Sequence, residues 1–365
     1  MSSSIIKLAK KLNAFATSLD DETGLAKISD WIDLGFLGLN AIISADCTKG
    51  LPCGRVTTLF GPSKSGKSLI SALAQKGAQD KGMTPIILDT EFDKDGRMEK
   101  SFGVDTSNVL TLPIESIEEL IIQCTKLIDQ VIENEEFGKY LFIVDSLGFI
   151  TSNKELSDAA GSNASGVAMD MGLKAKMIKT FLRTIKGKVA KSKCPLLLIN
   201  HEIANPNTKY ESAFKEQGGG NAITLVSTVM INVSATMLKQ DKGNELDVES
   251  IMANLNYTGQ NINLFTQKNR CAIPHKKVEC YLNYVTGIDR YSGLKEVLDM
   301  LPNLYTMDAK GEKGKGHNYY IEIEGVETKL GKYKEWQSNK ELWDKYLLPE
   351  VNKIVKETFA FKEHG

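Results

Sequence analysis

The octapeptide Gly61-Pro62-Ser63-Lys64-Ser65-Gly66-Lys67-Ser68 constrains this chain more than any other stretch. It lies between Val56-Thr57-Thr58-Leu59-Phe60, apolar and β-branched, and the helical run Leu69-Ile70-Ser71-Ala72-Leu73-Ala74. A buried strand, a Gly-x-x-x-x-Gly-Lys-Ser loop and a helix N-terminus together make a P-loop. Backbone N–H groups and the positive end of the helix dipole then face a polyphosphate. In that arrangement Lys67 reaches the β- and γ-phosphates, and the Ser68 hydroxyl ligates Mg²⁺. The pattern predicts binding of a nucleoside triphosphate with Mg²⁺. What the chain does with the nucleotide must be read elsewhere.

The 365 residues are 42% hydrophobic and 25% charged, the balance of a folded globular chain. A net charge of −1 excludes a globally basic nucleic-acid binder, though not a local basic strip. The six cysteines lack metal-ligand spacing, and Cys124 and Cys194, inside apolar runs, read as buried thiols of a reducing compartment. No apolar run matches a membrane span, and no signal core opens the sequence. A cytoplasmic protein without a membrane partner is expected.

Residues 1–30 are polar, with Ile5, Leu8, Leu12 and Phe15 spaced as a short amphipathic helix that must dock on something. Ser29 to Ser44 reads as a second amphipathic segment. Strands and helices then alternate. Pro85–Asp89, Tyr140–Asp145, Pro195–Asn200 and Ser227–Val233 are predicted strands; Ser116–Glu133 and Leu173–Val189 are predicted helices. Continuous apolar strands separated by helices imply a parallel sheet covered on both faces, with ligands at the carboxyl ends of the strands. Asp89, Asp145 and Asn200 fall at those ends. Two small, polar stretches, 151–170 and 202–221, read as long loops of the kind that usually serves function. Residues 308–316 read as a charged glycine linker to a terminal segment containing Trp336 and Trp343.

Several residues suit chemistry at that edge. Asp145 closes an apolar strand, as does a carboxylate that holds the Mg²⁺ shell. Glu91, two residues past the strand ending at Asp89, suits a base for the attacking water, or a solvated loop acid. His201 suits a γ-phosphate sensor, and equally a strand-end histidine satisfied by backbone. Lys174, Lys176, Lys179, Arg183, Lys186 and Lys188 crowd one helix that has no acid between residues 173 and 193. This is the local basic strip, suited to phosphate-backbone contact or to solvent. Lys268 and Arg270, one residue apart, could neutralise a transferring phosphoryl group, although the residues alone favour a plain surface strand.

The series as a whole resembles the RecA-type recombinases, most of all the UvsX-like recombinases of tailed phages. The likeness covers roughly residues 30–305. It runs through Gly50-Leu51-Pro52-Cys53-Gly54-Arg55, the P-loop, Asp89-Thr90-Glu91, Gly103-Val104-Asp105 and Val144-Asp145-Ser146-Leu147. It continues with Met171-Gly172-Leu173, Asn200-His201, Gly219-Gly220-Asn221-Ala222, Lys268-Asn269-Arg270 and Gly287-Ile288-Asp289. The resemblance implies an α/β RecA-type P-loop ATPase core with a mainly parallel sheet. A helical arm over residues 1–45 would precede the core at 46–305, and a small domain would follow at 306–365. It implies Glu91 as the catalytic carboxylate, with Lys67, His201, Lys268 and Arg270 assisting, the last two reaching the ATP of a neighbouring protomer. Gly61 to Ser68 with Leu69 would cradle the nucleotide, Asp95 and Met98 would hold the adenine, and Ser68 and Asp145 the metal.

Met171, Gly172, Lys176, Arg183, Gly219, Gly220 and Asn221 would touch DNA within and beside loops at about 151–171 and 202–221. The implied partners are single-stranded DNA, homologous duplex, further copies in a helical filament, and mediator and single-strand-binding proteins. Histidine at 201 in place of glutamine, Met98 in place of an aromatic residue, and arginine at 270 in place of lysine depart from the bacterial pattern. The second loop does not align residue by residue, so Ile203, Tyr210 and Phe214 remain equal candidates to wedge between bases. A ring-forming motor and a non-catalytic regulator are the competing classes. Met171-Gly172-Leu173 and Lys268-Asn269-Arg270 argue against the first; intact Lys67, Glu91 and Asp145 argue against the second.

Overall fold

The computed structural model describes residues 4–13, 17, 24–148, 150–160, 171–202, 221–239, 257–284 and 287–362. Its centre is a nine-stranded sheet. From one edge the order is Gly287–Ile288, Lys277–Asn283, Tyr257–Asn269, Val229–Lys239, Val56–Gly61, Leu196–His201, Tyr140–Asp145, Thr84–Asp89 and Leu110–Pro113. The strands from Val229–Lys239 to Leu110–Pro113 are parallel; those before them continue the sheet antiparallel.

Why these segments become buried parallel strands is visible in their alternation. Leu59, Ile87, Leu141, Ile143, Leu197 and Ile199 enter one apolar cluster. Val56, Ile86, Leu88, Phe142, Val144, Leu196 and Leu198 enter another on the opposite face. Both faces must therefore be covered. The helix Lys67–Asp80 supplies Leu69, Ile70, Ala74 and Ala78 to the first cluster. The helices Ile117–Glu133 and Met171–Ser192 supply Leu120, Cys124, Ile128, Ile178, Phe181 and Ile185 to the second. Ser116 caps the first of these helices, its hydroxyl accepting from the Glu119 N–H at 3.2 Å.

Four segments differ from the sequence reading. Ser29–Ser44 is a short strand, Trp31–Ile32, and a helix, Leu37–Ser44, that is buried nearly all round rather than two-faced. Its Leu39, Ile42 and Ile43 enter the first cluster while Leu37 and Ala41 enter a third, which accounts for its lack of a polar face. Within the stretch read as the first loop, Asn153–Ala160 is helical. Ser152 and Glu155 form a reciprocal cap, each side chain accepting from the other's N–H at 3.2 and 2.7 Å. Lys268 and Asn269 end a long strand, Tyr257–Asn269, where the sequence suggests only a plain surface strand. Residues 308–316 are a turn between the paired strands Leu304–Met307 and Asn318–Ile323, with Asp308 Oδ1 accepting from the N–H groups of Lys310 and Glu312.

The third cluster joins Leu37, Tyr291, Leu294 and Leu298 to Trp336, Trp343, Leu347, Val351 and Val355. The terminal aromatic segment thus shares its core with the helix that precedes the P-loop. Trp343 is fully buried and stacks on Tyr291 with ring centroids 4.9 Å apart. Truncating a buried tryptophan costs about 3–5 kcal/mol in transfer and cavity formation. Trp343→Ala should lower unfolding stability by that amount in denaturant titration; a loss below about 1 kcal/mol would show the segment is only loosely attached.

Candidate nucleotide and DNA sites

The sheet register places the candidate residues on one edge. Gly61 pairs with His201, and Asp89 with Asp145. In sheet order the edge therefore presents the P-loop, His201, Asp145 and then Asp89 with Glu91. In the P-loop, Gly66 caps the helix at φ 101°, and a Cβ there would lie 2.8 Å from Ile262 Cδ1. At Gly61 a Cβ would lie 2.0 Å from Val233 O, so the strand end itself demands glycine. Lys67 is buried and folds back, its Nζ donating to Gly61 O at 2.9 Å and Pro62 O at 2.7 Å. Burial draws the Lys67 ammonium below the usual lysine range, opposed by Glu91, Asp145 and Glu202. Ser65 Oγ is buried without a hydrogen-bond partner. Pro62, Ser63, Lys64 and Ser68 are exposed, while Leu69 packs into the core.

Glu91 is drawn into a small network. Ser146 Oγ donates to Glu91 Oε1 at 2.6 Å, and His201 Nε2 lies 3.1 Å from the same oxygen. Burial would push this carboxyl up; the hydrogen bonds from Ser146 and His201, with the charge of Lys94, hold it below the usual range. Glu91 is accordingly an ionised acceptor. Its backbone is fixed by Asp89 Oδ1, which accepts from the N–H groups of Glu91 and Phe92, each at 3.0 Å. Thr90 ties this turn to the next strand: its N–H donates to Asp145 O at 2.8 Å, and its Oγ1 to Ser146 O at 2.7 Å. The Asp145–Ser146 peptide is cis.

Asp145 is buried and lies 2.7 Å from Lys94 Nζ, which also stands 3.7 Å from the buried Glu99. Around this edge Asp89, Glu91, Glu99 and Asp145 outnumber Lys67 and Lys94. That deficit of positive charge suits a divalent cation. Among the described residues no three His, Cys, Asp or Glu side chains converge as a metal cage. Mg²⁺ needs none, since it is held by one or two carboxylates, water and phosphate oxygens. Ser68 and Asp145 are the candidates that would hold it, and the buried Ser65 hydroxyl and the helix N-terminus fit an anion beside it. When bound, the metal would neutralise the charge of the transferring phosphoryl group.

The adenine candidates lie apart from this network. Asp95 is exposed and engaged by Arg97, its Oδ1 accepting the Arg97 N–H at 3.0 Å and its Oδ2 the Arg97 Nε at 2.7 Å. Met98 is half-buried in the short helix Arg97–Ser101.

On the long basic helix Lys176, Lys179, Arg183 and Lys186 are all exposed, and none forms an ion pair with a described residue. Lys174 differs: it is half-buried, with Nζ donating to Gly148 O at 3.2 Å. Lys188 pairs with Asp129. Gly172 is exposed; Met171 and Asn221 each open a helix. Gly219 and Gly220 lie outside the described residues, as do 161–170 and the three base-wedge candidates Ile203, Tyr210 and Phe214.

Lys268 and Arg270 stand at the opposite edge of the sheet. Lys268 pairs with Met230, which is level with Thr58; Arg270 N donates to Thr228 O, and Thr228 N to Val56 O. Lys268 thus lies about 10 Å back along the P-loop strand from Gly61, and Arg270, level with the strand's start, about 16 Å. Lys268 Nζ donates to Thr224 O. Burial, with Arg270 and Lys186 nearby, lowers the Lys268 ammonium to about 8. Between them Asn269 is buried and donates to Ile42 O and Ile43 O, each at 2.9 Å, which turns its two neighbours outward.

Sequence reasoning missed three members of the site. Ser146 and Thr90 were legible only as neighbours of the carboxylates, and Lys94 as one charge in a polar turn. Nothing in spacing alone brings residues 90, 91, 94, 145, 146 and 201 to one place; the strand order does.

A nucleotide cradle at one strand end, with carboxylates on neighbouring strand ends, defines a P-loop ATPase. A family model of the RecA N-terminal domain matches residues 26–289. The chain is similar to Protein RecA of Thermotoga sp. strain RQ2, 28% identical over 313 residues, covering 86% of this chain and 78% of the relative. It is also similar to Protein RecA of Mycoplasma mycoides, 25% identical over 319 residues, covering 84% and 80%. The chain belongs to the RecA family, whose members are DNA-dependent ATPases of recombination and repair that use ATP with Mg²⁺.

With Glu91 as base, Glu91→Gln removes the proton acceptor and keeps the shape. ATP binding should persist while DNA-stimulated turnover falls about 10²–10⁴-fold. Turnover within about threefold of the parent would remove Glu91 from this role.

Proposed function

We propose that this protein coats single-stranded DNA as a head-to-tail helical filament, pairs it with homologous duplex and exchanges strands. ATP would be hydrolysed at junctions between protomers, and hydrolysis would reset the filament. The observation that supports this most directly is the position of Lys268 and Arg270. Two cations held at the sheet edge remote from their own P-loop have no phosphate to serve within one subunit. They suit the nucleotide of a neighbour. The cradle would bind the β- and γ-phosphates through Lys67, Glu91 would orient and deprotonate water, and Ser68 and Asp145 would hold the metal. His201, bonded to Glu91, would link the γ-phosphate to the segment that follows it. Lys176, Arg183 and the other exposed cations of the helix would follow the DNA backbone without reading sequence. Mediator and single-strand-binding proteins, a cytoplasmic setting and a phage source are part of the same reading. Among the described residues no helix is long and apolar enough to cross a membrane.

Counterion release tests the DNA surface. Each lost contact to single-stranded DNA should reduce the log–log salt slope by about 0.7. Lys176→Ala with Arg183→Ala should therefore flatten the salt dependence of binding; an unchanged slope would give this helix face to solvent or to a protein.

The junction is tested by Lys268→Ala with Arg270→Ala, which should keep ATP binding in the free subunit and lose DNA-stimulated turnover. Mixing this variant with Glu91→Gln should restore part of the activity, because one kind of junction has both intact halves. The free Lys268 ammonium titrates at about 8, and a phosphate alongside raises that value. Assembly then takes up a proton and weakens as pH rises through and above that point. Lys268→Arg should remove this pH dependence. Full turnover by the double variant alone would overturn the junction role.

A further inference from the structure

Lys94 is the one cation in contact with Asp145 among the described residues, and nothing above gives it a task. Its side chain is 14% exposed; those of Asp145 and Glu99 are 5% and 6% exposed. A buried carboxylate without a partner is costly, so Lys94 satisfies a real demand. The geometry is unequal, however. Nζ is 2.7 Å from Asp145 Oδ2 and 3.7 Å from Glu99 Oε1, and Glu99 Oε1 is buried with no hydrogen-bond partner. A second acceptor stands unused one short side-chain movement away. Burial would lower the Lys94 ammonium, while Asp145, Glu99 and Asp89 together raise it. The loop bearing it joins the Glu91 turn to the helix Arg97–Ser101, whose backbone already supplies Glu99. Lys94 and its second acceptor therefore belong to one local segment, while Asp145 belongs to the sheet.

We propose that Lys94 is an exchangeable counter-ion: it holds Asp145 while the metal is absent and moves to Glu99 when Mg²⁺ arrives with nucleotide. This rests on the reading of Asp145 as the metal-shell carboxylate. Metal binding at this site is then a swap of cations. A buried charge is compensated in both states, and the swap connects the Asp145 strand end to the segment that leads to the adenine candidates Asp95 and Met98. Because the tether competes with the metal, the apparent metal affinity is reduced by the fraction of time that Asp145 is free. A tether in place about nine-tenths of the time raises the Mg²⁺ requirement about tenfold.

The test uses the full-length protein and reads binding and stability rather than turnover. Half-maximal binding of a fluorescent ATP analogue is measured against Mg²⁺ concentration. Lys94→Met should lower the Mg²⁺ midpoint about tenfold, and Glu99→Gln, which removes the receiving acceptor, should raise it severalfold. In thermal unfolding without nucleotide, Lys94→Met should be destabilised and should regain stability when Mg²⁺ is added; the parent should respond little. An unchanged or raised midpoint in Lys94→Met would overturn the proposal. Should that variant fail to fold, an unchanged or lowered midpoint in Glu99→Gln would overturn it equally. Asp145→Asn separates the two levels. If its midpoint does not move, the metal reading of Asp145 fails; if it moves while those of Lys94→Met and Glu99→Gln do not, only the exchange fails.

Discussion

Everything at the nucleotide edge depends on parallel strands that stop at the same level. The register Gly61 with His201, and Asp89 with Asp145, is a backbone hydrogen-bond fact before it is a catalytic one. Once each strand stops where it does, the first polar residue after each apolar run emerges beside its neighbours. The consequence is electrostatic. Carboxylates from separate strands converge where water is scarce, and a low-dielectric setting makes their mutual repulsion expensive. The protein meets this with fixed donors and cations: backbone N–H groups on Asp89, Ser146 and His201 on Glu91, Lys94 on Asp145. A divalent ion with its triphosphate completes the same compensation, so affinity for the cofactor grows out of a problem the fold creates for itself.

Much of this was legible in the sequence because its cause is local. Val56–Phe60 and Tyr140–Val144 could only be buried strands, and Gly61 to Ser68 with its flanks could only be a phosphate loop. Asp89 and Asp145 were identifiable as strand-end residues for the same reason. Lys94 was not, because its importance lies in which strand neighbours which. Glu99 lay in an ordinary helical pattern and gave no sign that it would be buried. The same limit explains the helix Leu37–Ser44. Its residues look two-faced in sequence, but the C-terminal helix Leu348–Phe359 packs against it, and Leu37 and Ala41 share a cluster with Val351 and Val355. Residues 308–316 look like a linker by composition, yet glycine and charge serve a tight turn equally well. Ser152 and Glu155 have the Ser-x-x-Glu spacing of a helix start, which the reading of 151–170 as a loop does not use.

The two edges of the sheet have opposite characters. The carboxyl edge gathers acids and a phosphate cradle; the amino edge carries Lys268 and Arg270, with Lys186 close enough to depress the Lys268 ammonium. A two-fold dimer built on either edge would place like charges together. Joining one edge to the other in a second copy places cations against phosphates, and such a heterologous contact repeats without limit unless its rotation closes. The charge distribution of a single subunit thus favours a polar, head-to-tail assembly. Cohesion in such an assembly depends on the nucleotide, since the bare carboxyl edge holds internal cations that already satisfy part of its charge.

In the proposed filament the Glu91 network would supply a physical link between DNA and hydrolysis. Its two side-chain donors come from different strands. Ser146 follows the strand Tyr140–Asp145, and His201 ends the strand Leu196–His201. The chain that follows each of them leads into one of the two segments that the family resemblance assigns to DNA, 151–170 and 202–221. A force that shifts either segment is transmitted through a few backbone bonds to a donor on the same oxygen of Glu91. Losing one donor changes both the orientation and the basicity of that carboxylate. With those segments on DNA and Glu91 as the base, as proposed, both would converge on a single proton acceptor, and DNA occupancy would govern hydrolysis without any large movement of the sheet.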